Sequence, residues 1–516
     1  MIFARRWAVI FGGSLVLFLL RFLVPSPVGL ADNGDGPRIM CGLGVAPVTG
    51  GFSRYSGFAF FTYAPSTTCS GASVYASSQH LLLVAARALT PLLGLSGTVS
   101  LIALGIVTCA LQSAGIASMA CGLRLSMRNT LLVAVALWLV LADAAFFDTY
   151  ASPYSEGATL TGLVLVAAGV LYLRRRPLGL AFGLLLCGTG GYLAILSKEQ
   201  YLPLAIPICI AILLVSADRT RRGLARMLTR RTAAAGLVTG LLAVATIGYA
   251  HADATSPYGL LLHQEQVVDV IFDDIVNGHD NAVADLHALG LPASWAKYAG
   301  DGFWATPSVY HDPLYSRYAD KLTDTNLAHF LLTHPADLIG IGQQSADDAL
   351  MLRVSYLGNY DPAAGHPTGT LENRITVLSG IVQAVPSGLG LFWLIPLWSA
   401  MAAMALWTLR RTRRIPGWHR DASFGILLLA GCAVAAFVPA AYFAGVETTR
   451  HMLGMNLATA LACVLAGCLF CSMIRSGIVD SGQEGQAGTE VPRQAEPREP
   501  WAASRVARTG TGRHSR

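Results

Sequence analysis

Charge is scarce in this chain: Asp, Glu, Lys and Arg make up 13% of its 516 residues, against 53% hydrophobic residues and a mean hydropathy of +0.52. Soluble domains carry about 25% charged residues, so this scarcity excludes a soluble protein and leaves a polytopic membrane protein. No CxxC pair or His/Cys cluster suggests zinc, the CxxC of Cys468 and Cys471 lying inside the last apolar run. No repeat of fixed period is visible, which weighs against repeat-built transporter folds, although inverted repeats can be silent in sequence. The net charge of +6 implies no nucleic-acid partner, because the arginine clusters fall between apolar runs, where membrane orientation accounts for them.

What the chain does have is long apolar runs. About 17 to 25 such residues cross a bilayer, and ten runs qualify: 7–24, 97–120, 129–147, 158–173, 178–196, 201–216, 233–250, 387–409, 423–443 and 452–474. Arg5 and Arg6, Arg124 and Arg128, the "RRR" at 174–176, "DRTRRGLARMLTRR" at 218–231, "RRTRR" at 410–414 and Arg475 then all fall on one side. Basic loops mark the cytoplasm, which places both termini there. This parity requires the stretch 78–95, "SQHLLLVAARALTPLLGL", to be a helix lying in the outer interface; it is short, carries His80 and Arg87, and contains Pro91. Arg5, Arg6, an apolar core and "VGLA" also resemble a cleaved signal peptide. The parity needs this run as a span, and Arg21, which interrupts it, is expected to snorkel to the outer interface.

The expected fold is therefore an all-α polytopic membrane protein of about ten transmembrane helices. It divides into an N-terminal module, 1–250, of about seven spans with a first outer loop at 25–96; a mostly helical outer segment, 251–380; a C-terminal module, 381–475, of about three spans; and a disordered cytoplasmic tail, 476–516. The tail is rich in Gly, Pro, Glu and Arg and too poor in large apolar residues to fold alone. Between His251 and Leu378 there are 16 acidic against 5 basic residues. There "HQEQVVDVIFDDIV" and "NLAHFLLTHPADLIGIGQQSADDALM" have the spacing of amphipathic helices, with "PSVYHDPLY" as an aromatic loop between them. Of ten cysteines, eight lie in or beside apolar runs; Cys41 and Cys69 share the first outer loop, where an oxidising exterior permits a disulfide.

Polar residues gather on the outer connections. "ADNGDGPR" contributes Asp32, Asp35 and Arg38; "DTYASPYSEG" contributes Asp148, Tyr150, Tyr154 and Glu156; "LSKEQYLP" contributes Lys198, Glu199 and Gln200; "GVETTRHM" contributes Glu447, Arg450 and His451. Lys198 and Arg450 stand where the positive-inside tendency disfavours them, and an anionic partner would explain both. Pairing with Glu199 or Glu447, or with lipid headgroups, would also serve. "ADNGDGPR" has two readings as well. It can be a turn in which Asp32 bonds backbone amides and Asp35-Gly36-Pro37 caps a short helix, or it can be a place of catalysis.

The acidic first-loop motif with Arg three residues after an Asp, "YASPYSEG", "SKEQ" and "TTRHMLGMNL" at the last span resemble integral membrane GT-C glycosyltransferases. "HPADLIG" and "YLGNY" are similar to the WsfD-like hexose transferases of bacterial glycan biosynthesis within that superfamily. The resemblance implies transfer of a hexose from a polyprenyl-phosphate carrier to a glycan or lipid acceptor at the extracytoplasmic face, with membrane lipids around it. By its spacing to Arg38, Asp35 would be the general base, with Asp32 as alternative or as a substrate-orienting group. Lys198, Arg450 and Arg38 would bind the phosphate, and Tyr154, Glu156, Gln200 and His451 would shape the sugar pocket. The first loop lacks the adjacent Asp-Glu pair of the lipid A and protein O-mannosyl branches, so their acceptor arrangement does not carry over. One phosphate does not demand a divalent metal, although Asp32 and Asp35 together could hold one; no metal or other cofactor is expected. The alternative class, a transporter or lipid-linked glycan flippase, would place ionisable residues within the spans, where Asp143 is the main case.

Overall fold

The computed structural model describes residues 2–49, 56–69, 76–175, 177–217, 224–250, 257–277, 281–411 and 417–487. Arg176, the basic stretches 218–223 and 412–414, and the tail from 488 lie outside the described residues. The chain is an all-α polytopic membrane protein. Among the described residues seven helices are long and apolar enough to cross a membrane: Phe3–Leu23, Leu101–Gly122, Pro177–Ile195, Glu199–Ser216, Gly390–Arg411, Gly417–Tyr442 and Leu453–Ile474. Met127–Leu141 and Ala144–Ala151, bent by 60°, make an eighth if taken together.

Two more of the ten expected runs form shorter apolar helices, Glu156–Val170 and Arg231–Ile247. Glu156–Val170 has 15 residues, about 22 Å at 1.5 Å per residue, and its partner in brevity is the apolar part Arg231–Ile247 of a longer helix. Every residue of Glu156–Val170 is buried. It packs on Pro177–Ile195 through small residues: a Cβ on Gly162 would meet the Gly190 carbonyl oxygen and the Ala194 nitrogen at 2.5 Å, so the two backbones touch directly. A helix encased in protein does not have to match the bilayer thickness.

The stretch 78–95 forms a 14-residue helix, Gln79–Leu92, with one buried face. Its start is stitched to the end of Pro177–Ile195, Ser78 donating to the Leu193 carbonyl at 2.7 Å and Ser77 to that of Ser197 at 2.6 Å. The first loop also holds three short antiparallel strands that the helical expectation omitted, β1 (Val45–Pro47), β2 (Thr62–Pro65) and β3 (Val99–Ser100), in that order. Cys41 and Cys69 are disulfide-bonded beside them.

Arg21 is corrected more sharply. It does not snorkel: only 6% exposed, it pairs with Glu372 and lies over the Phe147 ring at 4.7 Å. Glu372 also takes Arg374 at 2.7 Å. Asn359 donates to the Gly29 carbonyl at 2.8 Å and to Asp148 at 3.0 Å, while Gly29 and Ala31 donate backbone N–H groups to Asn359 and Gly358. "YLGNY" is therefore a strap that ties the later polar segment onto the first loop.

That segment is mostly helical around a core of its own, centred on Val267, Ile271, Phe272, Trp295, Leu327 and Phe330. Its first amphipathic pattern becomes Pro257–Asp269 continuing into a π-helical turn, Val270–Ile275. The second is broken at Pro335 into Asp324–Thr333 and Pro335–Met351. At the chain's far end the described residues 470–487 belong to a separate unit. The last helix runs to Ala487, so the expected disorder from 476 is corrected for 476–487: elongating an existing helix avoids the cost of nucleation.

Candidate active site

Each site residue is delivered by a short connection. In the first loop, Asp32 Oδ1 accepts the amides of Gly34 at 3.0 Å and Gly36 at 2.8 Å, closing a turn that starts the helix Gly36–Met40. Gly34 has φ +119°, and a Cβ on Gly36 would strike the Asp32 carboxylate at 2.6 Å, so glycine is required at both positions. Asp35 makes no capping bond of its own. With Asp32 holding the turn, Asp35 is free to point at Arg450, whose Nη2 donates to its Oδ2 at 2.6 Å. The two readings of the motif are divided between its two acids.

Arg450 lies on the turn Thr448–His451. Glu447, in the left-handed region at φ +56°, reverses the chain and forms an ion pair with Arg450 Nη2 at 2.7 Å. Glu156, first residue of the buried helix, stands 3.7 Å from Arg450 Nε and 3.9 Å from Lys198 Nζ. Lys198 meets His451 Nε2 at 2.9 Å, and Gln200 donates to the His451 carbonyl at 3.2 Å. The Tyr154 ring lies 4.7 Å beneath the Arg450 guanidinium, and its hydroxyl sits 2.9 Å from both the Ala31 carbonyl and Asn33 Oδ1. Arg38 acts on Asp35 through its charge. Thus Asp35, Arg38, Tyr154, Glu156, Lys198, Gln200, Arg450 and His451 converge, with Asp32 one turn away. Lys198 pairs with Glu156 rather than its neighbour Glu199 in this set, whereas Arg450 does take Glu447.

Electrostatics differ along the row. Burial raises the Asp35 carboxyl, but Arg450, Lys198 and Arg38 outweigh it and hold the group below the ordinary aspartate range. Burial raises Asp32, offset only in part by the Gly34 and Gly36 amides. Lys198 is lowered by burial and by Arg450. His451 is lowered by burial, Lys198 and Arg450, which keeps its imidazole neutral. Arg450 has 2% side-chain exposure, while Asp35 keeps 29%, so the carboxylate is the open member of the pair. Among the described residues Glu156 Oε1, Arg450 Nε and His451 Nδ1 have no hydrogen-bond partner.

Three participants escaped the sequence reading as site residues. Asn33 donates to Glu447 and accepts from Arg450 Nη1 at 3.3 Å. Glu447, noted only as a pairing partner, also receives the Tyr356 hydroxyl. Tyr356 lies just before the "YLGNY" strap's Leu357, and only that strap brings it near. Asp143, the candidate for a transporter, has its carboxylate occupied by the backbone amides of Ala145, Leu378 and Ser379 at 2.8–3.1 Å. No group of three or more His, Cys, Asp or Glu side chains that could hold a metal occurs among the described residues.

Among curated proteins none matches the chain. Of solved structures, it is similar to ArnT from Cupriavidus metallidurans in the apo state, at 13% identity over 90% of this chain and 78% of that one, with a TM-score of 0.30. Residues 4–484 match the family described as the YfdI N-terminal transmembrane domain. That match spans the first helix, all the loops that build the site and the last membrane helix, and the chain belongs to that family.

Proposed function

We propose that this protein is a membrane glycosyltransferase of the GT-C type, transferring a hexose from a polyprenyl-phosphate carrier to a glycan or lipid acceptor, in the manner of the WsfD-like transferases. The acceptor hydroxyl attacks C1 of the sugar and gives its proton to Asp35. The bond from C1 to the phosphate oxygen breaks, and its electron pair leaves with the polyprenyl phosphate. Charge growing on that phosphate needs cations already in place, because preorganised groups stabilise it without reorganising. Lys198 and Arg450 would serve it, with Arg38 adding charge. Tyr154, Glu156, Gln200 and His451 would shape the sugar pocket. In this reading both termini and the arginine-rich connections face the cytoplasm and the site faces outward.

The observation that carries the reading is the pairing of Asp35, a partly exposed carboxylate freed from turn duty, with the buried Arg450 beside Lys198. A transporter loses its main support with Asp143, whose oxygens are taken by backbone amides. The test is release of polyprenyl phosphate from a polyprenyl-phosphate hexose by the purified protein, coupled to sugar transfer. Full complementation of a deletion strain by Asp35→Asn, together with no sugar transfer by the purified wild type, would sink the proposal.

A further inference from the structure

A second cationic site lies one membrane span away from the first. The helix Leu101–Gly122 leads from the strand sheet to the opposite end of the bundle, about 33 Å at 1.5 Å per residue. There Arg124 follows the helix end with φ +54°, in the left-handed region that an arginine rarely adopts. It lines a cavity of about 580 Å³ with Arg175, Phe3, Tyr172, Leu178 and Phe182. A smaller cavity of about 190 Å³ adjoins it, sharing Phe3 and Arg124 and adding Arg6.

The three arginines are held in different ways. Arg175 donates to the carbonyls of Leu171, at 3.2 Å, and Gly122, and its guanidinium covers the Tyr172 ring at 3.7 Å. Arg6 donates to the Leu125 carbonyl at 3.3 Å. Neighbouring Arg174 has a carboxylate partner, Asp421 at 2.8 Å. Among the described residues Arg6, Arg124 and Arg175 have none in ion-pair range. Asp421, already paired with Arg174, reaches Arg124 and Arg175 only through its charge; guanidinium groups gathered in this excess around one cavity call for an anion, and Arg suits a phosphate through its planar fork. The remaining lining is apolar and open: Leu178 is 89% exposed and Phe3 47%. A soluble anion would gain nothing from that wall, whereas acyl chains would cover it.

We propose that this cavity binds an anionic phospholipid of the adjoining leaflet, its phosphate on Arg124, Arg175 and Arg6 and its acyl chains along Phe3, Leu178 and Phe182. Basic recesses between membrane helices are suited to anionic headgroups, with each charge contributing about a fivefold gain. The site is separate from the transfer chemistry and does not depend on it. The full chain, delipidated in detergent, is titrated with fluorescent phosphatidylglycerol and with phosphatidylcholine of the same acyl chains, with inorganic phosphate as competitor. Phosphatidylglycerol should bind more tightly, Arg124→Gln should weaken it about fivefold, and Arg6→Gln with Arg124→Gln about twenty-five-fold. Arg124→Lys should keep most of the affinity, and phosphatidylcholine should be indifferent to all of these variants. Equal binding of the two lipids, unchanged phosphatidylglycerol affinity in the double variant, or full displacement by millimolar phosphate would each overturn the proposal.

Discussion

Two buried ion clusters in this chain are organised differently. In the first, Glu372 is clasped between Arg21 and Arg374, with side-chain exposures of 4% for Arg21 and 1% for Glu372. Arg374 also donates to the carbonyl of Arg21 at 2.9 Å, so the cluster closes upon itself and locks the strap to the first helix. In the second, Arg450 faces three carboxylates, two at 2.6 and 2.7 Å and Glu156 at 3.7 Å, and Asp35 stays partly open to the exterior. A cluster that closes on itself can only hold structure. One whose acid stays partly exposed retains capacity for a ligand.

Substitutions can break this contrast. The largest effect is expected from Asp35→Asn, which should lower sugar transfer by about 10²–10⁴-fold, the range for loss of a positioned base, while thermal stability in detergent hardly changes. A stability loss as large as the activity loss would make Asp35 another strut. Arg21→Met should do the reverse. Leaving Glu372 buried with only the half-buried Arg374 as partner costs up to about 3–5 kcal/mol, seen as loss of folded yield, and Arg21→Met combined with Glu372→Gln should recover most of it.

A smaller effect concerns pH. Lys198 has its ammonium pKa lowered by burial and by Arg450, so the alkaline limb of kcat/KM should fall below the ordinary lysine value of about 10.4. Replacing Lys198 with Arg should move that limb upward, and Lys198→Met should reduce kcat by about 10²–10³-fold, as for removal of one stabilising charge. The smallest effect lies in the helical polar segment. Burial, followed by Asp273 and other neighbouring acids, raises Asp274 from 3.8 to about 7. Its folded form binds the proton more tightly than the unfolded form, so its contribution is full below about pH 4 and is lost as pH rises through about 7. Hydrogen exchange across 266–276, corrected for intrinsic rates, should show more protection at pH 5 than at pH 8, and Asp274→Asn should flatten the difference. Glu372 has the opposite sign. Burial raises it, but Arg21 and Arg374 hold it below its ordinary value, so its contribution is present at neutral pH and is lost on acidification.

Much of the site was legible because each connection between apolar runs is short. A residue such as Lys198 or Arg450, flanked closely by spans, has little freedom to be anywhere but at the membrane surface. The same logic failed for Arg21. Its position at the end of a span suggested snorkelling, but the strap carries Glu372 to it from about 350 residues further along the chain. Asn33 and Tyr356 were illegible for the same reason: an amide in a turn and a tyrosine in a polar segment become site residues only when Glu447 arrives between them. Apolar length alone does not distinguish a helix facing lipid from one enclosed by other helices, as Glu156–Val170 is.

The sequence by itself determined the membrane class, since scarce charge and long apolar runs leave no other solvent for the chain. It also determined which connections gather polar residues, because alternate runs return the chain to the same surface. Only the tertiary structure decided what each polar residue does there. Asp32 and Asp35 are alike in composition and context; the difference is that two backbone amides claim one and a distant arginine claims the other. Hydrogen bonds at 2.6–2.8 Å depend on position to within fractions of an ångström, and positions of that kind are set by packing between segments far apart in sequence.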